Sequence, residues 1–592
     1  MHGQGAEFAQ ALTEVFDTHG RDAARCEAVR GRAHPAFRVV IVGGGVAADL
    51  DIAPHPFPSF PDLEVIVMSM HRVTDRLAIM IVMGTALGLF LHNVSGHAPL
   101  HIDSALFTPV IMHLAQGNGL VLDSFTYYLA AAERTFDFHG LFYPWWFGSV
   151  LGIDSYAALL VAHGCWIALS VGLAFLVFRR VPGAMDPRFP QGLLAALLAL
   201  YVGFISVHLQ GRPEFVAIPF ICAGYFLLMP AELGVKRQLA LYSMATLVFL
   251  CSPQVGILVF TVIAVALGIR LKWVDFLLQC GLMVVFVTAV TALFLYGLGS
   301  DLWTWLQRMW LAGAENPTRD WLRLLVLPGF SSFPVTNLLV LSLLVAAIIA
   351  LARSQRPLLL VLLLPAGYIL LPNANAYVYL GALPCALHYV FRVAEVSRWR
   401  ALLRVVLLCL CSLQLLAIMR YGVLMMLAHA DGRSFQVAQA ELQAAIQLED
   451  GDVVAFDWMA PYSYIVFSAT RAGHFWVTAE SSWYEHGQDA LLARYLEIGQ
   501  RRLKYIVIPE RGQWRGAPKP CITHAGKSYH LLLNQWSGRR ATLFGMRLGG
   551  ITPGYYYALY EYRGAVACST SESVSSGTPD SAVTPGAGLA AR

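Results

Sequence analysis

Apolar residues fall in long runs of roughly 17–20 positions, separated by short stretches rich in Arg, Lys, Pro and Gly. A run of that length crosses ~30 Å of hydrocarbon as a helix, with every backbone hydrogen bond made inside the segment. The pattern predicts helices near 76–92, 155–178, 191–209, 214–230, 238–252, 254–270, 275–298, 335–352, 357–371, 376–392 and 401–421, about eleven in all. The first run reads as a retained helix rather than a cleaved leader, because many more spans follow it. Basic residues then set the orientation. One set of loops holds Arg179, Arg180, Arg188, Lys236, Arg237, Arg270, Lys272, Arg353, Arg356, Arg392, Arg398 and Arg400. The opposite set of short loops holds Arg212 alone. The basic set reads as cytoplasmic, so 93–154, 210–213, 299–334 and 372–375 face outward.

Five stretches break the pattern. Residues 1–67 are Arg- and Gly-rich without a sustained period, and read as a poorly ordered extension. VVIVGGGVAADLD within them looks like a strand and a Gly-rich turn, but has no room for the βαβ unit that a dinucleotide site needs. Residues 93–154 are too polar to span and too aromatic for an idle linker, and read as a large outer loop on the membrane surface. The loop 299–334 interleaves Trp303, Trp305, Trp310 and Trp321 with Arg308, Arg319 and Arg323, which suits a helix at headgroup level, as an anchor or as a lid. Residues 422–565 alternate helical periods (GRSFQVAQAELQAAIQ, QDALLARYLEIGQRRL) with short strand-like runs (VVAFD, YIVIP, ATLFGMRLG, YYYALYEYR), predicting a small extracytoplasmic α/β domain. From 566 the chain is Ser, Thr, Gly, Ala and Pro, a tail that cannot pack. The transmembrane region is thus 68–421.

Composition agrees with a polytopic α-helical membrane protein. The 592 residues are 57% hydrophobic and 13% charged, against about a quarter charged in soluble domains. A net charge of +4, spread along the chain, gives no reason to expect nucleic acid. Ten cysteines form no CxxC pair and no metal-ligand spacing. Cys521 and Cys568 fall together in the C-terminal part, where a disulfide between them is one alternative to free thiols if that part faces an oxidising compartment; the sequence does not decide the pairing.

Three polar spots on the outer side carry candidate chemistry. Asp103 follows the first helix by about ten residues. A carboxylate there is either a solvated turn residue or a base for an acceptor hydroxyl. Asp123, Glu133 and Asp137 sit in amphipathic stretches, where surface carboxylates are expected. Gly211-Arg212-Pro213-Glu214 puts two opposite charges in a very short loop of an apolar region. Arg212 suits a phosphate and Glu214 suits a metal or an acceptor; a local ion pair at the interface is the plainer alternative. Asn375 and Tyr377, in PNANAY, suit sugar hydroxyls or a phosphate, against simple helix capping by Asn375.

The order of these parts resembles a known family. An inner start, a first helix, a large outer loop with an acidic residue near its beginning (HIDSALF), a His-Gly-Leu-Phe-Tyr-Pro segment ending that loop, a second large outer loop and an outer C-terminal domain are similar to the GT-C superfamily of polyprenyl-phosphate-sugar-dependent glycosyltransferases. That superfamily includes protein O-mannosyltransferases and lipid A aminoarabinose transferases. The resemblance covers roughly 70–565. It implies Asp103 as the general base, and His139 and Tyr143, from the HGLFYP segment, as substrate-binding residues with Arg212, Glu214, Asn375 and Tyr377. Gly140-Leu141 stands where the family usually has a Pro pair, and the basic residue often found near NANAYVYLGALP is missing, which makes Arg212 the better phosphate-binding cation. The implied partners are a polyprenyl-phosphate sugar donor, membrane lipid, and a glycan, lipid or protein acceptor. The implied place is a bacterial inner membrane with the site facing the periplasm. A divalent cation between Asp103 and Glu214 is the alternative, but neither residue lies in a DxD pair and no required metal or cofactor is expected. The rival classes are a transporter, disfavoured by the few mid-helix charges and the lack of an internal repeat, and a non-catalytic scaffold displaying its C-terminal domain.

Overall fold

The computed structural model describes residues 61–94, 104–121, 140–179, 191–229, 233–307, 435–457, 475–478, 501–509, 519–524, 526–535, 540–543, 546–551 and 557–564, with Cys568 and a few isolated positions. The predicted spans from 335 to 421 fall almost wholly outside the described residues, as do residues 1–60 and 569–592.

Each of the first seven predicted spans is a helix. They are α1 (Pro61–Val94), α4 (Tyr156–Arg179), α5 (Gln191–His208), α6 (Pro213–Leu228), α7 (Val235–Cys251), α8 (Pro253–Arg270) and α9 (Trp273–Gly297). Among the described residues, four helices are long and apolar enough to cross a membrane: Asp75–Val94 within α1, and α4, α8 and α9. Two expectations change. Helix α1 starts at Pro61, seven residues inside the stretch read as an extension; proline is favoured at a first helical position, where its missing N–H would be unpaired anyway. The 93–154 stretch does not simply lie on a surface. It contains α2 (Ser104–Ala115), the short α3 (Phe142–Trp145) and a π-helical turn (Trp146–Val150), and Phe107, Tyr143 and Phe147 are fully buried. The run ALFTPVIMHL is apolar enough to pack, though too short to span.

Small residues let the helices approach. A Cβ on Gly203 of α5 would lie 2.6 Å from Val171 Cγ2 of α4, and one on Gly164 of α4 would lie 2.7 Å from Phe90 Cδ2 of α1. Glycine here gives α1, α4 and α5 the close contact that drives helix association in lipid. Helix α6 packs on α4 and α7, and α8 and α9 pack on α7. Hydroxyls in the apolar helices are satisfied locally: Ser170, Ser206, Thr246 and Thr261 each donate to the carbonyl four residues earlier.

The antiparallel helices separate the loops into two ends. At one, Arg179 pairs with Asp75 at 2.8 Å and Arg270 donates to the Leu228 carbonyl at 2.8 Å; this is the basic end. At the other, α1, α5 and α7 finish and α4, α6 and α8 begin.

The C-terminal domain is a mixed sheet with strand order β2-β1-β3-β8-β5-β4. Its strands are β1 (Asp452–Asp457), β2 (Phe475–Thr478), β3 (Arg502–Pro509), β4 (Cys521–His524), β5 (Lys527–Gln535) and β8 (Tyr557–Tyr562); β6 (Arg540–Leu543) and β7 (Met546–Ile551) pair separately. Strands β1, β2 and β3 run parallel, while β8 is antiparallel to β3 and β5. VVAFD and YIVIP read as continuous apolar runs because both faces of the parallel strands are covered; Val453, Val454, Ile506 and Val507 are all fully buried. Helix α10 (Phe435–Ala445) is the first predicted amphipathic helix, and Tyr557 of β8 donates to its Glu441 at 2.8 Å. Cys521 and Cys568 are disulfide-bonded. That bond fits an extracytoplasmic location, since cytosolic thiols are kept reduced.

Asp452 is fully buried at the start of β1. Burial alone raises its carboxyl, but Arg502, the Glu449 N–H and Lys504 outweigh this and hold it below the usual carboxylate range. A carboxylate depressed in the folded state stabilises above its unfolded value of about 4, and that stability is lost as pH falls through the folded value. The domain is therefore expected to lose thermal stability on acidification below about pH 4. Asp452→Asn should flatten that acid limb, as read by melting curves across pH.

Candidate functional site

The end of the bundle opposite the basic loops holds a buried polar cluster. The α5–α6 turn starts it. Gly211 has φ of 91°, a left-handed value that favours glycine. Arg212 follows in extended conformation as the cap of α6, Pro213 takes the first helical position, and Glu214 sits in the first turn, where the helix dipole favours a negative charge. Arg212 Nε donates to Glu214 Oε2 at 3.0 Å, and Ser252, between α7 and α8, donates to Glu214 Oε1 at 3.3 Å. Glu214 is 1% exposed and Arg212 9%, so this is a desolvated ion pair rather than a surface one. The plain alternative at this spot, a local ion pair, is therefore present, and it is buried.

The HGLFYP segment closes over the same turn. Gly140 has φ of 86°, and a Cβ there would lie 2.3 Å from Pro213 Cγ and 2.8 Å from the Cys251 carbonyl oxygen. Both the backbone conformation and the space require glycine. The Gly-Leu pair in place of two prolines thus has a local reason: a ring or a side chain at 140 cannot occupy this contact. Three residues on, Tyr143 packs edge-to-face on Phe107 of α2 at 5.4 Å and on Phe147 at 5.3 Å. Its hydroxyl lies 3.1 Å from His163 Nε2. Burial, together with nearby Tyr156, pushes the Tyr143 phenol well above its ordinary range, so it is a neutral hydrogen-bonding group and not a base.

Beyond Tyr143 the polar chain continues into the bundle. His163 Nδ1 is 3.3 Å from Gln210 Nε2. Gln210 Nε2 also donates to Asn93 Oδ1, and Asn93 Nδ2 donates to the Leu160 carbonyl. Asn93 is 1% exposed, and His163 and Gln210 are fully buried. The His163 ring meets Phe215, next to Glu214, edge-on at 5.1 Å.

Of the expected site residues, Tyr143, Arg212 and Glu214 lie in this one region. Asp103, His139, Asn375 and Tyr377 lie outside the described residues, although Asp103 directly precedes α2 and His139 directly precedes Gly140 in sequence. Asn93, His163, Gln210 and Ser252 were not anticipated. The signal that marks them is a lone polar residue near a span end, where an unpaired group is costly and a partner must exist. In the second outer loop, Trp303 is exposed but Trp305 is 1% exposed and packs against Phe249 at 5.9 Å. At least one of the four tryptophans is therefore a packing residue of the bundle and not a headgroup anchor. Among the described residues, no group of three or more His, Cys, Asp or Glu comes together as a metal site. Compared with known proteins, the chain matches no family model, no curated protein and no solved structure.

Proposed function

We propose that this chain is an integral-membrane glycosyltransferase of GT-C-like architecture, with about eleven spans, that moves a sugar from a polyprenyl-phosphate donor to an acceptor hydroxyl on the extracytoplasmic face. The observation that carries the reading is the buried Arg212–Glu214 pair at the end of the bundle away from the basic loops, covered by the Gly140–Phe147 segment. A desolvated guanidinium beside apolar helices is suited to a phosphate whose lipid chain stays in the bilayer. The C-terminal disulfide agrees with an outward-facing catalytic side.

In this reading Asp103 takes the proton of the acceptor hydroxyl. The oxygen attacks the anomeric carbon, a new glycosidic C–O bond forms, and the bond from that carbon to the phosphate oxygen breaks. The electron pair leaves on polyprenyl phosphate. Arg212 offsets the charge that develops there, and Glu214 and Ser252 fix the guanidinium in place. A phosphate anion leaves readily, so no general acid is needed, unlike glycoside hydrolysis with its two carboxylates.

The direct test uses membranes with and without the chain and a radiolabelled polyprenyl-phosphate sugar. Label is expected to move to a membrane or envelope acceptor only where the chain is present. Equal transfer in both membranes, or transfer from a nucleotide sugar alone, would overturn the proposal.

A further inference from the structure

The chain of polar groups behind Tyr143 has a direction, and one carbonyl sets it. The Leu160 carbonyl can only accept, so Asn93 must face it with its amide nitrogen, as it does. The Asn93 oxygen then faces Gln210, which must present its own nitrogen. The same nitrogen points its second hydrogen at His163 Nδ1, 3.3 Å away, so Nδ1 must be an unprotonated acceptor. A neutral imidazole with an unprotonated Nδ1 carries its proton on Nε2. That N–H donates to the Tyr143 oxygen at 3.1 Å. Turning either amide around would set oxygen against oxygen or nitrogen against nitrogen inside a fully buried site. Among the described residues the buried Gln210 oxygen has no hydrogen-bond partner, which is the consequence of holding its nitrogen between Asn93 and His163.

We infer that His163, held in one tautomer by Asn93 and Gln210, is a positioning residue that acts through Tyr143 to fix the Gly140–Phe147 segment over the Arg212–Glu214 turn. The geometry runs in one direct line. Asn93 lies in the last turn of α1, His163 is in α4, Gln210 lies in the turn just after α5, and Tyr143 lies three residues from Gly140, which packs closely on Pro213. Tyr143 is fully buried. For its activity readout the inference rests on the glycosyl-transfer reading. A lipid donor is held mainly by its prenyl chain, so misplacing this segment should leave donor binding alone and reduce turnover.

Two substitutions at one position separate the two ends of the imidazole. His163→Gln keeps a donor near the Nε2 site, and His163→Asn keeps an acceptor near the Nδ1 site. His163→Gln is expected to retain kcat within about threefold. His163→Asn and Tyr143→Phe should each lower kcat roughly tenfold, the worth of one buried hydrogen bond, with donor KM unchanged. The double variant His163→Asn/Tyr143→Phe should be no worse than either single change, because both remove one interaction. Additive losses, a KM effect in place of a kcat effect, or His163→Gln as impaired as His163→Asn would overturn the inference.

A second measurement does not need activity. In ¹⁵N-histidine-labelled full-length protein, the signal lost in His163→Gln should be that of a neutral ring protonated at Nε2, and it should change on Gln210→Met. A ring protonated at Nδ1, or at both nitrogens, sinks the inference. If no sugar transfer is found but the Nε2-protonated ring is, the glycosyl reading fails while the oriented chain stands.

Discussion

Asp103→Asn is expected to lower sugar transfer by roughly 10²–10⁴-fold, the usual worth of a positioned general base, while leaving the amount of membrane-inserted protein unchanged. The substitution is chosen for what it preserves. Asp103 directly precedes α2 in sequence, a position where a side-chain oxygen can cap helix N–H groups. Asparagine caps as well as aspartate, so a purely structural role survives the change. What is lost is the negative charge and the ability to take a proton. On the proposed reading the prenyl chain and phosphate are held away from Asp103, so donor KM should change little and kcat should carry the loss. A transporter or a scaffold would be indifferent to this variant. The measurement is label transfer in matched membranes at saturating donor; activity within a few-fold of the parent would remove Asp103 from the mechanism.

Glu214→Ala is expected to destabilise the bundle by about 3–5 kcal/mol, because it breaks a buried ion pair from one side. Thermal melting in detergent reads this. The companion variant Arg212→Met/Glu214→Leu replaces both charges with apolar groups of similar size, and such replacements are often neutral or stabilising. The two variants together separate structure from chemistry. If the pair served only to hold α6 against the α7–α8 turn through Ser252, the apolar double variant would restore the melting temperature and every function with it. If Arg212 receives a phosphate, the double variant melts like the parent and transfers no sugar. Recovery of transfer in the double variant would end the phosphate role.

The helices were legible because the bilayer leaves a chain few options: seven of the apolar runs are helices, six of them within a few residues of the expected ends, while α1 begins well before its apolar run, at Pro61. The α/β character of the C-terminal part was legible from VVAFD and YIVIP, whose two-sided burial makes them uniformly apolar. Strands β4 and β5 were not, since CITH and KSYHLLLNQ mix polar and apolar residues without a clean period, and their hairpin joins the rest of the sheet only through β8, which comes later in sequence. The candidate site was legible only where charges stand out. Arg212 and Glu214 are conspicuous against apolar neighbours and lie two residues apart. Asn93, His163 and Gln210 are single polar residues in separate runs; Gln210 is 117 residues from Asn93 and 47 from His163. No local pattern links them, and only the packing of α1 on α4 and α5 does. The packing within 93–154 was illegible for a related reason. Its aromatic content marks it as more than a linker, but only the fold shows Phe107, Tyr143 and Phe147 packed on one another and on His163.

The strand order of the C-terminal sheet sets a timetable for synthesis. Strand β8 joins β3 to β5, yet both of those, and β4, precede it in sequence. As the polypeptide emerges, the parallel trio and the β4–β5 hairpin are two separate half-sheets, each with a bare edge waiting for the same missing segment. They can only merge once residues 557–562 have been delivered, and the thiols at 521 and 568 meet after that. Assembly of this domain is therefore a late event in biogenesis. A chain cut short before residue 557 would present two open edges to its neighbours, a direct route to aggregation.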